Sequence, residues 1–221
     1  MPNIAAVVFD FDGTLVDESK IFEQSLIYAC KAVGFTLLGK GEIKRLAKQH
    51  PDIYLQRVIP NDIADRNKLV ERFLKSFTEA YERNGHKQAK LVKHAKPLLR
   101  ALKMSGVKVG LITRRITLWR AVPEILQMFS ISTLVDRLVT CREAESKVEQ
   151  LRICLKDLQV KASASSVVGD TAEDIYAGKA VGCLTIAYTK GFGSKIEILR
   201  AEPDYLVADL IDVLQILASI K

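Results

Sequence analysis

The amino-terminal segment constrains the fold more than any other part of the chain. An apolar run, Ile4-Ala5-Ala6-Val7-Val8, leads directly into Phe9-Asp10-Phe11-Asp12-Gly13-Thr14-Leu15. Small and branched apolar residues that end at a glycine-containing turn are typical of a buried strand followed by a tight loop. Two carboxylates beside a buried strand are costly unless a positive group meets them, and a metal ion commonly does so. The segment therefore predicts a buried strand with a cation site at its carboxyl end.

Asp10 and Asp12 are the first candidate metal ligands. The loop after the strand can turn oxygen atoms of both residues toward one point, and Mg²⁺ prefers such hard oxygen ligands together with water. The alternative is a helix N-cap or an Asx turn, where Asp is also common. Because ligands of open parallel sheets bind beyond the carboxyl ends of the strands, the pair followed by Gly13 and Thr14 favours the metal hypothesis.

Composition indicates a globular protein of one large domain, or of one domain with an insertion. The chain has 221 residues, of which 48% are hydrophobic and 27% charged, ordinary values for a globular protein. Its longest apolar runs are far shorter than the ~20 residues of a membrane helix. The amino-terminal apolar stretch lacks a basic region and runs into Asp10, so we expect a strand, not a signal peptide, and a cytoplasmic protein without a membrane partner.

The positive charge is concentrated in one segment. The formal net charge is +7, and residues 18–95 contain 15 Lys and Arg against 9 Asp and Glu. One interpretation is a set of solvated helix faces, and the other is a positive field that attracts an anionic substrate. Nucleic acid is a less favoured partner because neither interleaved aromatic residues nor a groove-reading motif accompanies the charge.

The periodicity changes along the chain and divides it into two parts. Residues 18–94 read as helices, including segments 41–50, 52–58 and 63–84, with no convincing strand. From residue 95 onward, strands alternate with helices, and Pro123 is expected to kink or split one of those helices. We predict an α/β fold, a doubly wound parallel sheet formed by residues 1–17 and 95–221, with residues 18–94 as an inserted small all-helical domain.

Reactive side chains follow several of the predicted strands. Thr113, with Arg114 and Arg115, ends one strand. Lys147 lies near the start of the helix after the next strand, and Asp170 and Asp174 follow Ser166-Val167-Val168-Gly169. Carboxyl ends of parallel strands meet at one edge of a sheet, so these groups should gather around Asp10 and Asp12. Acids, a hydroxyl group and a cation together can hold Mg²⁺ and a phosphoryl group.

Each of these residues also has a structural interpretation. Thr113 could be the N-cap of the next helix, and Lys147 alone could be a surface lysine. Asp170 and Asp174 could cap and begin a helix, where acidic residues are favoured. With Asp10 and Asp12 there are four such strand ends. A purely structural role at all four is less expected than at any one of them.

The same residues resemble the motifs of the haloacid dehalogenase superfamily, in the branch of phosphoglycolate phosphatases and beta-phosphoglucomutases with a helical cap. Four stretches carry the resemblance: Asp10-Phe11-Asp12-Gly13-Thr14-Leu15-Val16-Asp17, Leu111-Ile112-Thr113, Lys147, and Gly169-Asp170 through Asp174. The loop Gly191-Phe192-Gly193 also resembles one in the phosphoglycolate-phosphatase-like members. Two features depart from the family pattern: Val148 replaces the usual Pro after the lysine, and Arg114-Arg115 follows Thr113.

The resemblance implies roles for the acidic residues. Asp10 would be the nucleophile that forms an aspartyl-phosphate. A free Asp has a pKa of about 3.9, so we expect Asp10 to be ionised at neutral pH and to need no base. Asp12 would protonate the leaving oxygen and then activate water, which requires a raised pKa. Mg²⁺ would be held by Asp10, the Asp12 carbonyl group, Asp170 and Asp174.

The remaining site residues would bind phosphate. The resemblance implies that Thr113 and Lys147 hold the non-bridging oxygens, and that Gly13 and Thr14 belong to the phosphate-binding loop. Thr14 belongs to the phosphatase-like form of the motif, because beta-phosphoglucomutases more often have Val or Ile there. Arg114 could bind phosphate or a substrate carboxylate, or it could face solvent.

The leading hypothesis is a Mg²⁺-dependent phosphomonoesterase acting on a small phosphorylated metabolite, with phosphoglycolate as the first candidate. A phosphomutase is the main alternative within the same fold. A phosphatase acting on nucleic-acid ends or phosphoproteins, and a binding protein without turnover, are the others. The assembly is expected to be a monomer or a homodimer.

Overall fold

The structure is a computed structural model that describes residues 4–35, 43, 46, 55, 58–84, 88–115 and 118–220. The chain forms two compact units, one made of Met1–Asp17 and Lys90–Lys221 and the other of Glu18–Ala89. The helices predicted for residues 41–50 and 52–58 lie mostly outside the described residues. Strands and helices are numbered in chain order.

The first unit is built around a six-stranded sheet in which every neighbouring pair of strands is parallel. Its strands are β1 Ala6–Asp10, β4 Lys108–Thr113, β5 Arg137–Thr140, β6 Ser165–Gly169, β7 Leu184–Tyr188 and β8 Tyr205–Val207. Their order across the sheet is β5-β4-β1-β6-β7-β8. A two-stranded antiparallel ladder, β2 Val16–Asp17 with β3 Lys90–Leu91, lies in the same unit.

Helices alternate with the strands, as the sequence predicts. Within the described residues the helices are α1 Ser19–Ala32, α2 Arg66–Asn84, α3 Ala95–Met104, α4 Ala121–Met128, α5 Lys147–Leu158, α6 Ala172–Val181, α7 Lys195–Arg200 and α8 Asp212–Ser219. The predicted α/β class, a parallel sheet with a helical insertion between its first two strands, is confirmed.

Strand β1 occupies the centre of the sheet because its side chains are apolar on both faces. All five of its residues are buried. Ala6 and Val8 belong to a core cluster with Leu151, Cys154 and Leu155 of helix α5. Val7 and Phe9 alternate with them and point to the opposite face, so β1 needs cover on both sides.

The strand order creates a switch point beside β1. Chain connections place β4 and β5 on one side of β1 and β6, β7 and β8 on the other. In open parallel sheets, ligands bind outside the carboxyl ends of the strands at such a point. The carboxyl end of β1 is Asp10, so the topology puts that residue at the position where a ligand site is expected.

The second unit contains α1 and α2 among its described residues. The hydroxyl group of Tyr81 on α2 donates a hydrogen bond of 2.8 Å to the buried carboxylate of Glu18, which precedes α1. Phe22 of α1 packs against the rings of Phe77 and Tyr81, with centroids 6.1 and 5.9 Å away.

None of the described helices combines the length and the apolar character that crossing a membrane requires.

Two local expectations are wrong. Residues 18–94, predicted to contain no strand, include β3 in the part that belongs to the first unit, because a two-residue strand shows no periodicity that a sequence pattern could reveal. Pro123 does not split α4, which begins at Ala121 and continues to Met128. Proline lies in the first turn of that helix, where its missing N–H group would have no intrahelical acceptor.

Candidate active site

Three buried carboxylates meet at the switch point. Oxygen atoms of Asp10, Asp170 and Asp174 lie within 4.8 Å of one another. Asp10 ends β1, Asp170 directly follows β6, and Asp174 lies in the first turn of α6. Strands β1 and β6 are parallel neighbours, so their carboxyl ends bring these side chains together. Three hard oxygen donors in this arrangement can hold a divalent cation.

Lys147 joins two of the three carboxylates. Its ammonium group donates a hydrogen bond of 2.7 Å to Oδ1 of Asp10 and a second one to Oδ1 of Asp174. The residue is only 6% exposed, which excludes the interpretation as a surface lysine. Ser146 is the N-cap of α5 and accepts a hydrogen bond from the backbone N–H of Glu149, so the helix starts where Lys147 can reach the cluster.

Asp170 is held by groups from two loops. Thr14 Oγ1 donates to its Oδ1 at 2.7 Å, and the backbone N–H groups of Phe192 and Gly193 donate to its Oδ2 at 2.6 and 3.3 Å. Gly13 has a φ of +87°, and a Cβ atom there would lie 2.5 Å from Oδ2 of Asp170. The loop after β1 can therefore approach Asp170 this closely only with glycine at position 13.

Asp174 is both a helix-capping residue and a member of the cluster. Its Oδ2 accepts hydrogen bonds from the backbone N–H of Thr171 at 3.0 Å and from the Thr171 hydroxyl group at 2.7 Å. The backbone N–H of Asp174 donates to that hydroxyl oxygen at 3.4 Å, which completes a capping box. Its Oδ1 accepts the bond from Lys147. The capping interpretation and the functional interpretation of this residue are therefore compatible, because the two oxygens face different partners.

Asp12 faces an arginine. Nε of Arg115 donates to Oδ2 of Asp12 at 2.8 Å, and Nη2 donates to Oδ1 at 2.5 Å, which makes a two-bond fork. The guanidinium carbon lies 4.8 Å from the centroid of the Phe11 ring, and the Arg115 side chain is 3% exposed. Asp12 contributes no carboxylate oxygen to the cluster, so its predicted contact with a metal could come only from its backbone carbonyl group.

Thr113 lies at the end of β4, beside the strand that carries Asp10. Its hydroxyl group is 3.5 Å from Oδ2 of Asp12, and its carbonyl group accepts a hydrogen bond of 3.0 Å from the side-chain amide of Gln150. The next described helix begins at Ala121, so Thr113 is not the N-cap of that helix. Arg114 forms an ion pair with Glu173 in the first turn of α6, which anchors the start of the loop after β4.

The electrostatics of the cluster favour a further positive charge. Burial raises the pKa of Asp10 well above its usual value, and the neighbouring carboxylates add to this effect while Lys147 opposes it. Burial, with Asp174 beside it, raises the pKa of Asp170 to about 6. Burial alone would lower the pKa of Lys147, but the Asp10 and Asp174 carboxylates raise it. The reference pKa therefore does not describe Asp10 in this fold, and one ammonium group does not offset three buried acids.

We expect the metal-free protein to lose stability as its Asp170 carboxyl group ionises. The folded state holds this proton up to a pH of about 6, whereas the unfolded chain loses it near the usual value of 3.8. The stabilisation is therefore complete below pH ~4 and is lost as the pH rises through ~6, at most about 3 kcal/mol. Urea unfolding of the wild type and of Asp170→Asn, in a chelator from pH 4 to 7, measures this contribution.

The comparison with Asp170→Asn isolates the effect, because asparagine does not titrate in this range. Its oxygen can still accept from the Phe192 and Gly193 N–H groups while its amide donates to the Thr14 hydroxyl group. We expect the free energy of unfolding of the wild type to fall relative to the variant across this interval. Saturating Mg²⁺ should reduce the fall, since it would bind the ionised carboxylates of the folded state. A difference between the two proteins that stays constant with pH would contradict the raised pKa.

Sequence comparison agrees with this geometry. Residues 7–188 match the sequence model of the family described as haloacid dehalogenase-like hydrolase. The chain belongs to this family. Membership in the haloacid dehalogenase superfamily, predicted from the motifs, is confirmed, as is the prediction that the chain is an enzyme of its phosphatase type.

Relatives of similar length support the branch within the family. The chain is 26% identical to a phosphoglycolate phosphatase from Vibrio cholerae over 223 aligned positions, which cover 98% of each protein. It is 27% identical to a phosphoglycolate phosphatase from Vibrio vulnificus, with 97% of this chain and 98% of the relative covered. Both alignments run through the helical insertion as well as the sheet.

Solved structures show the same fold. A predicted phosphoglycolate phosphatase from Haemophilus somnus superimposes with a TM-score of 0.85 at 23% identity, covering 98% of this chain and 99% of its own. A haloacid dehalogenase-like family protein from Streptococcus pneumoniae gives a TM-score of 0.84 at 24% identity, with 98% and 99% covered. At this level of identity the likeness concerns the arrangement of helices and strands.

Proposed function

We propose that the protein is a Mg²⁺-dependent phosphomonoester hydrolase that works through an aspartyl-phosphate on Asp10. The observation that carries the proposal is the meeting of Asp10, Asp170 and Asp174 within 4.8 Å at the switch point. Family membership supplies hydrolase chemistry, and this haloacid dehalogenase-like chain keeps a carboxylate nucleophile candidate at the end of β1.

The donor set fits Mg²⁺. Asp10, Asp170 and Asp174 offer hard oxygen atoms, as does the backbone carbonyl group of Asp12. The raised pKa values of Asp10 and Asp170 also fit, because they arise where buried negative charge lacks compensation. Bound there, Mg²⁺ would offset the negative charges of the carboxylates and the phosphoryl group as they approach each other.

Asp10 would attack phosphorus, and Lys147 would orient its carboxylate and favour the ionised form. The ammonium group contacts Oδ1 of Asp10, which leaves Oδ2 as the attacking atom. The same charge lowers the energy of a carboxylate that burial would otherwise protonate. Attack forms the bond from Asp10 to phosphorus and breaks the bond from phosphorus to the ester oxygen, and water then releases inorganic phosphate from the aspartyl-phosphate.

Asp12 would transfer protons during the reaction, and Thr113 would bind the phosphoryl group. Asp12 would donate a proton to the leaving oxygen and later accept one from the attacking water. Both of its carboxylate oxygens accept hydrogen bonds from Arg115, so Asp12 can carry a proton to the leaving oxygen only when this fork opens or lengthens as substrate binds. The Thr113 hydroxyl group would donate to a non-bridging phosphoryl oxygen.

The proposed substrate is a small phosphorylated metabolite, and phosphoglycolate is the first candidate. The named phosphatases from Vibrio cholerae and Vibrio vulnificus align over nearly the whole chain, including the insertion that would select substrates. We predict that the protein is cytoplasmic and that it forms a monomer or a homodimer.

Phosphate release from a panel of small phosphate esters tests the proposal. We expect turnover of phosphoglycolate or a related ester with Mg²⁺ and at least about a 100-fold slower rate in a chelator, because uncompensated charge repels the phosphoryl group. Raising the ionic strength should change the rate of a small ester only a few-fold, whereas binding to a polyanion weakens steeply with salt.

Three results would contradict the proposal. A turnover rate that is the same in Mg²⁺ and in a chelator would show that the reaction does not need the metal. Interconversion of sugar phosphates with little release of phosphate would favour the phosphomutase. A preference for oligonucleotide ends or phosphopeptides, lost steeply with salt, would favour a macromolecular substrate.

A further inference from the structure

Two arginines on neighbouring loops share one tryptophan. The guanidinium carbons of Arg120 and Arg142 lie 5.0 and 4.6 Å from the centroid of the Trp119 ring, so they are within about 10 Å of each other. Both arginines are exposed and Trp119 is half-buried. We call this group of three residues the Arg–Trp cluster.

The cluster lacks the carboxylates that neutralise the other arginines around it. Arg114 pairs with Glu173, Arg115 with Asp12, and Arg137 with both Glu143 and Asp157. Among the residues that the structure describes, neither Arg120 nor Arg142 forms an ion pair.

Two cations held within about 10 Å of each other repel even at about 0.1 M salt, where the Debye length is about 10 Å. Their contacts with the ring hold them in place without cancelling either charge. An anion between or beside them would supply the missing compensation.

The cluster lies at the sheet edge that carries the proposed active site. Arg142 follows β5 by two residues, and Thr140 at the end of β5 pairs in register with Thr113 at the end of β4. The thiol of Cys141 donates a hydrogen bond of 2.7 Å to the carbonyl group of Arg115, which ties the two loops together. Strand β5 is two positions from β1, or about 10 Å across the sheet.

We propose that the Arg–Trp cluster binds a second anionic group of the substrate, a carboxylate or a phosphate, while the phosphoryl group to be removed lies at Asp10. The inference rests on the proposed function for the position of that phosphoryl group. Arginine suits this role because its guanidinium group can bind a carboxylate or a phosphate through two hydrogen bonds. The contact with the tryptophan ring already restricts each arginine side chain, so binding an anion costs less conformational entropy. The preferred substrates are therefore phosphate esters with a second negative group several ångströms from phosphorus.

Binding of phosphonates by calorimetry tests this inference without turnover, since their carbon–phosphorus bond replaces the ester bond. The probes are ethylphosphonate with one anionic group, phosphonopropionate and the longer phosphonopentanoate with an added carboxylate, and propane bisphosphonate with an added phosphonate. We expect the wild type in Mg²⁺ to bind at least one two-anion probe about tenfold or more tightly than ethylphosphonate. The better of the carboxylate and bisphosphonate probes identifies the second group.

The double variant Arg120→Gln/Arg142→Gln should lose this preference and bind ethylphosphonate within about twofold of the wild type. The control Arg100→Gln removes the same charge from an exposed position on α3 and should keep the preference. An unchanged preference in the double variant, an equal loss in the control, or no preference in the wild type would overturn the inference. Tight binding of a single-stranded oligonucleotide that needs both arginines, without probe discrimination, would also overturn it and favour a nucleic-acid surface.

The outcomes separate this inference from the proposed hydrolysis. If no ester is hydrolysed but the double variant loses its preference for the two-anion probes, the hydrolase proposal fails and the anion site stands. If esters are hydrolysed and the preference is absent or survives the double substitution, the hydrolase proposal stands and the anion site is wrong.

Discussion

Replacing Asp10 with Asn is expected to reduce turnover of the best ester by at least about 10⁴-fold. The substitution removes the atom that attacks phosphorus, and loss of a nucleophile has effects of this size in other hydrolases. The steric change is small, and Asn can still accept the hydrogen bond from Lys147. Steady-state phosphate release at saturating Mg²⁺ is the measurement.

The control for this variant is Asp62→Asn, which removes one carboxylate from an exposed position in the other unit. It should keep turnover within about twofold, because surface charges have weak effects. We expect the free energy of unfolding of Asp10→Asn to lie within about 1 kcal/mol of the wild-type value at pH 7, because Lys147 keeps its ion pair with Asp174 and the substitution removes one of three mutually repelling buried acids. Wild-type turnover by a folded Asp10→Asn protein would mean that another group, or water itself, attacks phosphorus.

Lys147→Met is expected to damage both activity and stability. It removes the buried cation between Asp10 and Asp174, and the two carboxylates then face each other without compensation. Breaking a buried ion pair from one side costs about 3–5 kcal/mol, and losing a donor to the reacting groups lowers the rate about 10²- to 10³-fold. Urea unfolding in a chelator and phosphate release in Mg²⁺ measure the two effects.

The pH dependence distinguishes lost charge from lost packing. The stability deficit of Lys147→Met should be smaller at pH 5 than at pH 7, because the pKa of Asp170 is about 6 and that of Asp10 is also raised, so protons replace the missing cation. Lys156→Met, an exposed change on the same helix, should have little effect at either pH. A deficit that is equal at both pH values would indicate a packing defect.

The strand-end pattern was the part of the site that the sequence could predict. Hydrophobic runs place the strands, and parallel topology then brings their carboxyl ends to one edge, so Asp10, Asp170 and Asp174 could be grouped without any contact being known. Lys147 was the weakest prediction because Val148 departs from the family pattern. The structure places its ammonium group against Asp10, while its catalytic role stays a proposal.

Pairings between side chains on distant segments could not be predicted. The fork between Arg115 and Asp12 joins residues that are 103 positions apart, and no periodicity links them. The same applies to Gln150, whose amide bridges the carbonyl groups of Thr113 and Ala144. The glycines around Phe192 did give a signal, since glycine suits a loop whose backbone N–H groups approach a carboxylate closely.

The most direct test of the proposed mechanism is to trap the phosphoryl group on the enzyme. Excess wild-type protein is mixed with a phosphorus-labelled ester and Mg²⁺, quenched in acid within one turnover, and digested for peptide mapping. We expect label on the peptide that contains Asp10, sensitive to hydroxylamine as an acyl phosphate should be, and none in Asp10→Asn. Full turnover with no labelled peptide, and inversion of configuration at phosphorus, would instead show direct attack by water and contradict the aspartyl-phosphate.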